Sequence, residues 1–410
     1  MAETFFVNIL IMLVSALALG EVFKRLKQPA LVGHLLAGVI IGPSVFNVVQ
    51  PDESLETLIN LAIFFLMFLA GLELHPKEIK QAGKNAIILS ILAFVIPFVS
   101  GAAVANFLGL SMIPSLFIGL ALAITAVPVS AVVLMEFGLL KSKMGSTIMT
   151  AGIVDDILSL ITLAIILQLA QSGGDLDFGE LGFSAFKIGA FIGGIFLLTF
   201  ILNKTKHWLP HKFSPLFAKL QTKEAGFGIL LVSAIGLSLI AEGVGLHFII
   251  GTFFAGLLVY QEIIGKESLG RINDVFSAIT FGFLSPIFFA FIGMEFYAQS
   301  ISESIPLFLI LLGVAIAGKI GGGFIGGKLA GFSNAESRII GYLVNSRGMV
   351  ELVIATIGFE LGIIDKTLFT VIVAVGFITT IMAPIMARIA LRRISSQPAS
   401  SVTNDKPPSE

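Results

Sequence analysis

Apolar stretches long enough to cross a membrane recur along the whole chain, and they decide what it can fold into. An α-helix needs about 20 apolar residues to span the hydrocarbon core of a bilayer, and the 410-residue sequence contains such stretches from end to end. Hydrophobic residues make up 56% of the chain and charged residues 12%, which excludes an ordinary soluble domain. Outer-membrane strands would show alternating segments of about ten residues instead. The sequence therefore predicts an all-α polytopic membrane protein.

Charged and Gly/Pro-containing breaks divide the chain into thirteen predicted transmembrane helices. They lie at 4–23, 30–49, 55–74, 85–108, 112–135, 145–169, 184–203, 224–242, 245–264, 274–296, 305–328, 337–358 and 366–390. Most lysines and arginines fall in alternate connections, beginning with Lys24, Arg25 and Lys27 after the first span. By the positive-inside rule, the N-terminus lies outside and the C-terminus in the cytoplasm. Residues 395–410 are rich in Ser, Pro and charge, and they are predicted to form a disordered cytoplasmic tail.

Two short segments of the first half recur in the second half at nearly one offset. "FLAGLEL" (68–74) is similar to "FAFIGMEF" (289–296) with a shift of 222 residues, and "LMEFGLL" (134–140) is similar to "IGFELGII" (357–364) with a shift near 224. The first copy of the Gly-x-Glu element ends a predicted helix at the cytoplasmic side and the second copy at the outer side. Inverted-topology repeats are typical of secondary transporters, whose site lies at the bilayer midplane. Chance similarity of two apolar segments is the alternative.

Five ionisable residues remain in the chain once those near predicted helix ends are set aside: Asp155, Asp156, Lys319, Arg347 and Glu351. A charge inside the bilayer costs at least a few kcal/mol, so each needs a partner or a function. A structural ion pair would explain one acid and one base, whereas five groups at one depth favour transport. Neighbouring helical residues point about 100° apart, so the two aspartates must have different neighbours, and Lys319 is the expected partner of one. A carboxylate that binds either a proton or a hard monovalent cation is an exchange site.

Two predicted helices contain residues that disfavour a helix. "ITAVPVSA" (124–131) includes Pro128, which removes a backbone donor and disfavours helix at the residue before it. We expect unwinding to free carbonyl groups there, and the hydroxyls of Thr125 and Ser130 would add oxygen ligands for a hard cation. "VNSRGMVE" (344–351) interrupts the corresponding helix of the second repeat. A plain kink is the alternative, but two breaks at matched positions fit the crossed discontinuous helices of inverted-repeat transporters.

The repeat alignment places Thr379 and Thr380 where the first half has the two aspartates, which predicts one binding site per chain. No cysteine is present, and the five histidines show no metal-ligand spacing. "GVAIAGKI" (313–320) has the glycine and lysine spacing of a phosphate-binding loop but lacks the following Ser or Thr. Neither a resident cofactor nor an enzymatic activity is expected.

"GIVDDILSL" (152–160), "TAVPVSA", the lysine of "AGKIGGG" and "NSRGMVEL" (345–352) together resemble the monovalent cation:proton antiporter-2 family. The similarity is greatest to its paired-aspartate sodium/proton antiporters, which have the NhaA-like antiporter fold. The resemblance implies a transporter domain over 1–394, within the inner (plasma) membrane, that works as a homodimer by elevator-type alternating access. Its dimerisation part would cover 4–49 and 184–264, and its core part would cover 55–169 and 274–390.

The resemblance also implies roles for individual residues. Asp156 would be the principal carrier of sodium and proton, with the two ions competing for it, and Thr125 would complete the sodium coordination. Asp155 would pair with Lys319 when no cation is bound. The resemblance further implies electrogenic exchange of two protons per Na⁺ or Li⁺. Supporting polar groups of the core near the site would be Arg347 and Glu351.

Two other functions stay open at this point. A potassium/proton exchanger of the same fold is one, since "TAVPVSA" departs from the strings typical of sodium exchangers. An organic-anion transporter or a non-transporting sensor is the other, although an anion site should carry net positive charge. Here two aspartates and Glu351 face Lys319 and Arg347. The expected partners are Na⁺, Li⁺ or K⁺, protons, membrane lipid and a second copy of the chain, and no nucleic acid is expected.

Overall fold

The computed structural model describes residues 2–73, 83–140, 142–171, parts of 186–204, 225–244, 246–259, 266–297, 299, 301 and 304–395. Within these residues the chain forms helices joined by short connections. They are α1 (Ala2–Arg25), α2 (Ala30–Ile41), α3 (Glu53–Glu73), α4 (Gly83–Phe107), α5 (Met112–Ala123), α6 (Val127–Glu136), α7 (Lys143–Gln171), α8 (Ala225–Gly243), α9 (Phe248–Leu257), α10 (Lys266–Ile279), a π-helical turn (Thr280–Leu284), α11 (Ser285–Glu295), α12 (Ile305–Leu329), α13 (Asn334–Val344), α14 (Met349–Glu360) and α15 (Lys366–Ser395).

The described helices include eight spans that are long and apolar enough to cross a membrane. The count rises to nine if α13 and α14, which meet at a bend of 43°, form one span. Three shorter apolar helices, α2, α5 and α9, add to them. The all-helical class of the prediction is confirmed, and the described residues contain no strand. Thirteen crossings stay a prediction, because the predicted helix 184–203 lies partly outside the described residues.

Two helices are shorter than predicted. The span expected over 30–49 ends at Ile41, because Gly42 is extended and the following Pro43 has no backbone N–H to donate. The chain then folds back on the helix end, and the N–H of Val48 donates to the carbonyl of Ile41 at 2.8 Å. Of the span expected over 245–264, α9 covers Phe248–Leu257.

The helices pack into two groups. The core group consists of α4 to α7 and α12 to α15, in which α4 lies against α5, α7 and α12, and α13 lies against α12 and α15. The flanking group consists of α1 to α3 and α8 to α11, in which α3 lies against α9, and α2 lies against α1 and α11. The sequence placed 55–74 and 274–296 in the core part, whereas α3 and α11 make their main contacts within the flanking group.

Glycines allow this close packing within the flanking group. A Cβ atom on Gly71 of α3 would lie 1.9 Å from the carbonyl oxygen of Phe253 in α9. A Cβ atom on Gly293 of α11 would lie 2.1 Å from the carbonyl oxygen of Leu35 in α2. Both glycines belong to the repeated Gly-x-Glu element. In each copy of the element, the glycine allows its helix to pack closely against another helix.

Helix starts repeat along the chain as well. Three helices of the second half, α12, α13 and α14, each begin 222 residues after a helix of the first half, α4, α5 and α6. The first residues of these pairs are Gly83 and Ile305, Met112 and Asn334, and Val127 and Met349. The offset seen in two short sequence segments therefore also describes the folded chain.

Candidate functional site

Two pairs of consecutive helices in the core group are each separated by a short non-helical segment, and these two segments, the two breaks, touch. Residues 124–126 separate α5 from α6, and 345–348 separate α13 from α14. The N–H of Ala126 donates to the carbonyl of Ser346 at 2.8 Å, and the Ser346 hydroxyl donates to the carbonyl of Ala126 at 3.0 Å. Gly348 permits this approach, because a Cβ atom there would lie 2.7 Å from the Ala126 side chain. Residues far apart in sequence thus satisfy each other's unwound backbone.

Two buried cations cap the broken end of α5. A helix that stops leaves its last carbonyl groups without partners. Arg347 donates to the carbonyls of Ala121 at 2.5 Å and Leu122 at 2.8 Å, and Lys319 donates to the carbonyl of Ala123. Cations at a helix C-terminus also interact favourably with the helix dipole. The arginine and the lysine therefore stabilise the unwound conformation of the backbone.

Lys319 also lies against one of the two aspartates. Its ammonium nitrogen is 3.5 Å from Oδ2 of Asp155 and 3.0 Å from the carbonyl of Ala93, and both charged side chains are almost fully buried. The hydroxyl and backbone N–H of Thr125 lie beside the same carboxylate. The structure thus brings Asp155, Lys319 and Thr125 together at the end of α5, and α7 and α12 supply the two charges.

Arg347 forms a second buried ion pair, with Glu351, which lies one helical turn further along the chain. Its Nη1 lies 3.2 Å from Oε1 of Glu351, and neither side chain is exposed. The pair spans the start of α14, so it joins the second break to the carbonyl end of α5. Both residues were expected near the site. The structure places them at the second break, where they stabilise the unwound backbone.

The Ser130 hydroxyl serves the second break. It donates to the carbonyl of Leu343 at 2.8 Å, and this bond satisfies a carbonyl group at the end of α13. Pro128 lies in the first turn of α6, where its missing N–H costs nothing. Ser130 was expected to be a cation ligand, and in this conformation its hydroxyl is engaged with backbone.

A cavity of about 650 Å³ lies between the core group and the flanking group. Asp156 and Thr125 line its wall together with Gly348 of the second break, whereas Asp155 is not among the lining residues. The two aspartates therefore have the different neighbours that helical geometry requires. Asp155 contacts Lys319, and Asp156 lines the cavity.

The cavity extends from Asp156 to the end of α1, where the exposed side chains of Glu21 and Lys24 line it. His34 of α2 lines it too, and its ring stacks on that of Phe289 with 6.2 Å between centroids. Ser285, the first residue of α11 and directly after the π-helical turn, also lines the cavity. Neither His34 nor Ser285 was expected at the site. Neither residue carries a permanent charge, and neither lies in a helix that the sequence predicts to be broken.

The fold and the site together define a class of protein. A polytopic helical membrane protein with two touching helix breaks, buried opposite charges and a carboxylate on an access cavity is a secondary transporter for ions. The chain belongs to the sodium/hydrogen exchanger family, whose profile, described as "Sodium/hydrogen exchanger, transmembrane", matches residues 9–393. The family expected from the sequence motifs is confirmed.

Several relatives are similar over nearly the full chain. "Probable Na(+)/H(+) antiporter 3" of Methanocaldococcus jannaschii is 31% identical over 388 residues, which cover 94% of this chain and 96% of the relative. "Na(+)/H(+) antiporter" of Enterococcus hirae is 29% identical, with 95% and 99% covered. "Na(+)/H(+)-K(+) antiporter GerN" of Bacillus cereus is 30% identical, with 94% and 95% covered.

A solved structure shares the fold. The sodium proton antiporter MjNhaP1 of Methanocaldococcus jannaschii superposes with a TM-score of 0.69, covering 95% of this chain and 98% of its own. The sequence identity in that superposition is 18%, so this similarity shows the architecture of the helices.

Proposed function

We propose that the protein exchanges Na⁺ or Li⁺ for H⁺ across the membrane and that Asp156 is the carboxylate that binds either ion. One observation carries the proposal: Asp156 lines the cavity that reaches the exposed end of α1, while Asp155 lies on Lys319. An ion that enters the cavity therefore meets a carboxylate. The names of the relatives from Methanocaldococcus jannaschii and Enterococcus hirae support the choice of ions.

Competition at Asp156 would couple the two ion flows. A carboxylate that holds a proton has lost the charge that attracts a sodium ion, so each ion excludes the other. Carboxylate, hydroxyl and carbonyl oxygens suit a hard cation, and Thr125, which lines the same cavity, would supply its hydroxyl after leaving Asp155. Ser130 would join the ligands only after its hydroxyl leaves the carbonyl of Leu343.

Asp155 and Lys319 would supply the second proton of an electrogenic cycle of two protons per cation. A lysine held in place by a carboxylate can lose its proton when that carboxylate turns towards a cation. The 3.5 Å separation between the Lys319 ammonium and Asp155, and the position of Thr125 beside that carboxylate, support such an exchange of partners.

Alternating access would come from elevator-type movement of the core group against the flanking group. The cavity lies between the two groups, and so do the ion pairs Lys27–Glu136 and Glu295–Lys366, each 3.8 Å long. The lysines of both pairs are largely exposed, so water can solvate each ammonium group when the two groups of helices move apart. Two crossed helix breaks in inverted repeats would keep the site symmetric towards the two sides.

The packing favours a revised domain division. We place α3 and α10 to α11 with the dimerisation part and keep α4 to α7 and α12 to α15 as the moving core. In α1 and in α8, 17% of the most apolar 18-residue segment is buried within the chain. The remaining apolar surface is available for lipid and for the second copy in a homodimer. With thirteen crossings of the inner membrane, the N-terminus lies outside, and the cavity at Lys24 opens to the cytoplasm.

The test replaces Asp156 by asparagine, which keeps the size of the side chain and removes the charge. We expect Asp156→Asn to abolish Na⁺-dependent dequenching of a pH-sensitive dye in proteoliposomes. Asp274→Asn is the matched control, because the same change falls on an exposed residue of α10 away from the cavity. Exchange retained by Asp156→Asn would overturn the assignment.

A second candidate function is potassium/proton exchange, which the name of the Bacillus cereus relative favours. Dequenching measured side by side with Na⁺, Li⁺ and K⁺ separates the two. A response to Na⁺ and Li⁺ at concentrations where K⁺ has no effect supports the first proposal, and the reverse order supports the second.

A further inference from the structure

A cleft of about 390 Å³ lies between the start of α13 and the end of α15. It shares no lining residue with the cavity at Asp156. Helix α13 contributes Ala335, Arg338 and Tyr342, and α15 contributes Met386, Ile389, Ala390 and Arg393. Neither the proposed exchange nor the support of the helix breaks uses these residues. Their combination of two arginines with an apolar wall needs its own explanation.

The polar end of this cleft suits an anion. Arg338 and Arg393 are both exposed, and the Nε of Arg338 donates to the carbonyl of Asn334 at 3.3 Å, which ties this side chain to the first turn of α13. A guanidinium group presents donors in a fork that matches the oxygens of a phosphate. The nearby carboxylate of Glu336 does not line the cleft, and it accepts a hydrogen bond from the N–H of Ser333 at 2.9 Å.

The apolar end of the cleft continues along α15. Met386 and Ile389 line it, and Ile389 and Ile385 are 50% and 41% exposed. Exposed isoleucines on a membrane-spanning helix face lipid chains. A charged end and an apolar end therefore follow one another along the same helix, at its basic terminus, where Arg392 and Arg393 occupy the last turn. Phospholipids have this arrangement of charge and hydrocarbon.

We propose that this cleft binds an anionic phospholipid, with its phosphate on Arg338 and Arg393 and an acyl chain along Ile389 and Ile385. Basic pockets between membrane helices at the cytoplasmic side bind acidic lipid head groups in this way. A free phosphate would use the arginines and leave the apolar wall exposed. A zwitterionic lipid would bring a positive group to two arginines, so a net negative head group is preferred.

The experiment measures lipid retention by native mass spectrometry on the purified full-length chain. Phosphatidylglycerol and phosphatidylcholine with the same acyl chains are added at equal concentration. We expect phosphatidylglycerol to be retained preferentially, and we expect the variant Arg338→Gln/Arg393→Gln to lose about tenfold in its affinity. Arg392→Gln is the matched control, because it removes one exposed arginine that neighbours the cleft but does not line it.

Two further arms separate lipid from a free anion. Ile389→Ser should weaken retention of phosphatidylglycerol, and inorganic phosphate at millimolar concentration should fail to displace the lipid. Single variants with a monodisperse size-exclusion profile replace the double variant if that variant does not fold. Equal retention of the two lipids, an equal loss in Arg392→Gln, or displacement by inorganic phosphate alone would each overturn the proposal.

Discussion

The two helix breaks occupy matched positions in the two halves of the chain, yet they carry different chemistry. The break at 124–126 faces α7, which brings the two aspartates. The break at 345–348 faces α15, where the hydroxyl of Thr380 donates to the carbonyl of Arg347 at 2.7 Å. One half therefore supplies two aspartates, of which Asp156 lines the cavity, and the other half has a threonine hydroxyl at the corresponding place.

The second half also supplies the support for the first. Lys319 and Arg347 both belong to the second half, and both donate to the last carbonyls of α5 in the first half. Gene duplication alone would leave two equal sites, whereas here the charges are divided between the halves. This asymmetry supports the proposal of one exchange site per chain, with cations of the second half stabilising the broken end of α5.

The largest effect is expected where the scaffold loses a buried charge. Arg347→Met leaves Glu351 without its cation and two carbonyls of α5 without donors, and breaking a buried pair costs about 3–5 kcal/mol. We expect a clear drop in the midpoint of thermal unfolding of the purified protein. Adding Glu351→Gln should recover part of the loss, because no unpaired carboxylate then remains, and Arg392→Gln should change little. A double variant as unstable as the single one would contradict this account of the pair.

Lys319→Ala tests whether the lysine takes part in exchange as well as in support. The Asp155 carboxylate then lacks its ammonium counter-ion, so the pH profile of transport or the charge moved per cycle must change. Currents on solid-supported membranes, recorded across the pH range, measure both. Lys328→Ala, an exposed lysine in the last turn of the same helix, is the control. Currents identical to those of the unchanged protein at every pH would remove Asp155 and Lys319 from the cycle.

The smallest effects are expected from the threonines at the two breaks. Thr125→Val removes a hydroxyl from the cavity wall, and we expect the half-saturating Na⁺ concentration to rise about tenfold, which corresponds to about 1.4 kcal/mol. Thr380→Val removes only the hydrogen bond to the Arg347 carbonyl, so stability should fall by about 1 kcal/mol with Na⁺ affinity unchanged. The two breaks would be alike in function if both variants shifted Na⁺ affinity equally.

Much of the fold could be predicted from the sequence because the signals are local. Runs of apolar residues define membrane helices, and Pro128 and Gly348 mark the two breaks. Asp155, Asp156, Lys319, Arg347 and Glu351 stand out as charges in apolar surroundings. The end of α2 at Ile41 was missed because an apolar stretch continues past Gly42 and Pro43.

Other parts of the site depend on contacts between distant residues. The hydroxyl of Ser130 was read as a cation ligand, and it is bonded to Leu343, which lies 213 residues away. His34 and Ser285 carry no sequence signal, and they line the cavity because the flanking helices α2 and α11 border the same space as α7. The division into core and flanking groups differs from the expected one for the same reason, since it depends on which helix faces meet.

The sequence by itself determined the class of protein, the family and the short list of charges, because burying a charge in lipid is costly enough to make each one informative. It also required the two aspartates to have different neighbours, because adjacent positions on a helix point in different directions. Helix geometry left open which aspartate has which neighbour, the family resemblance assigned Lys319 to Asp155, and the tertiary structure shows the contacts that produce this arrangement. Packing of both α7 and α12 against α4 and α5 brings Lys319 to Asp155, and the space between the two helix groups leaves Asp156 beside the cavity.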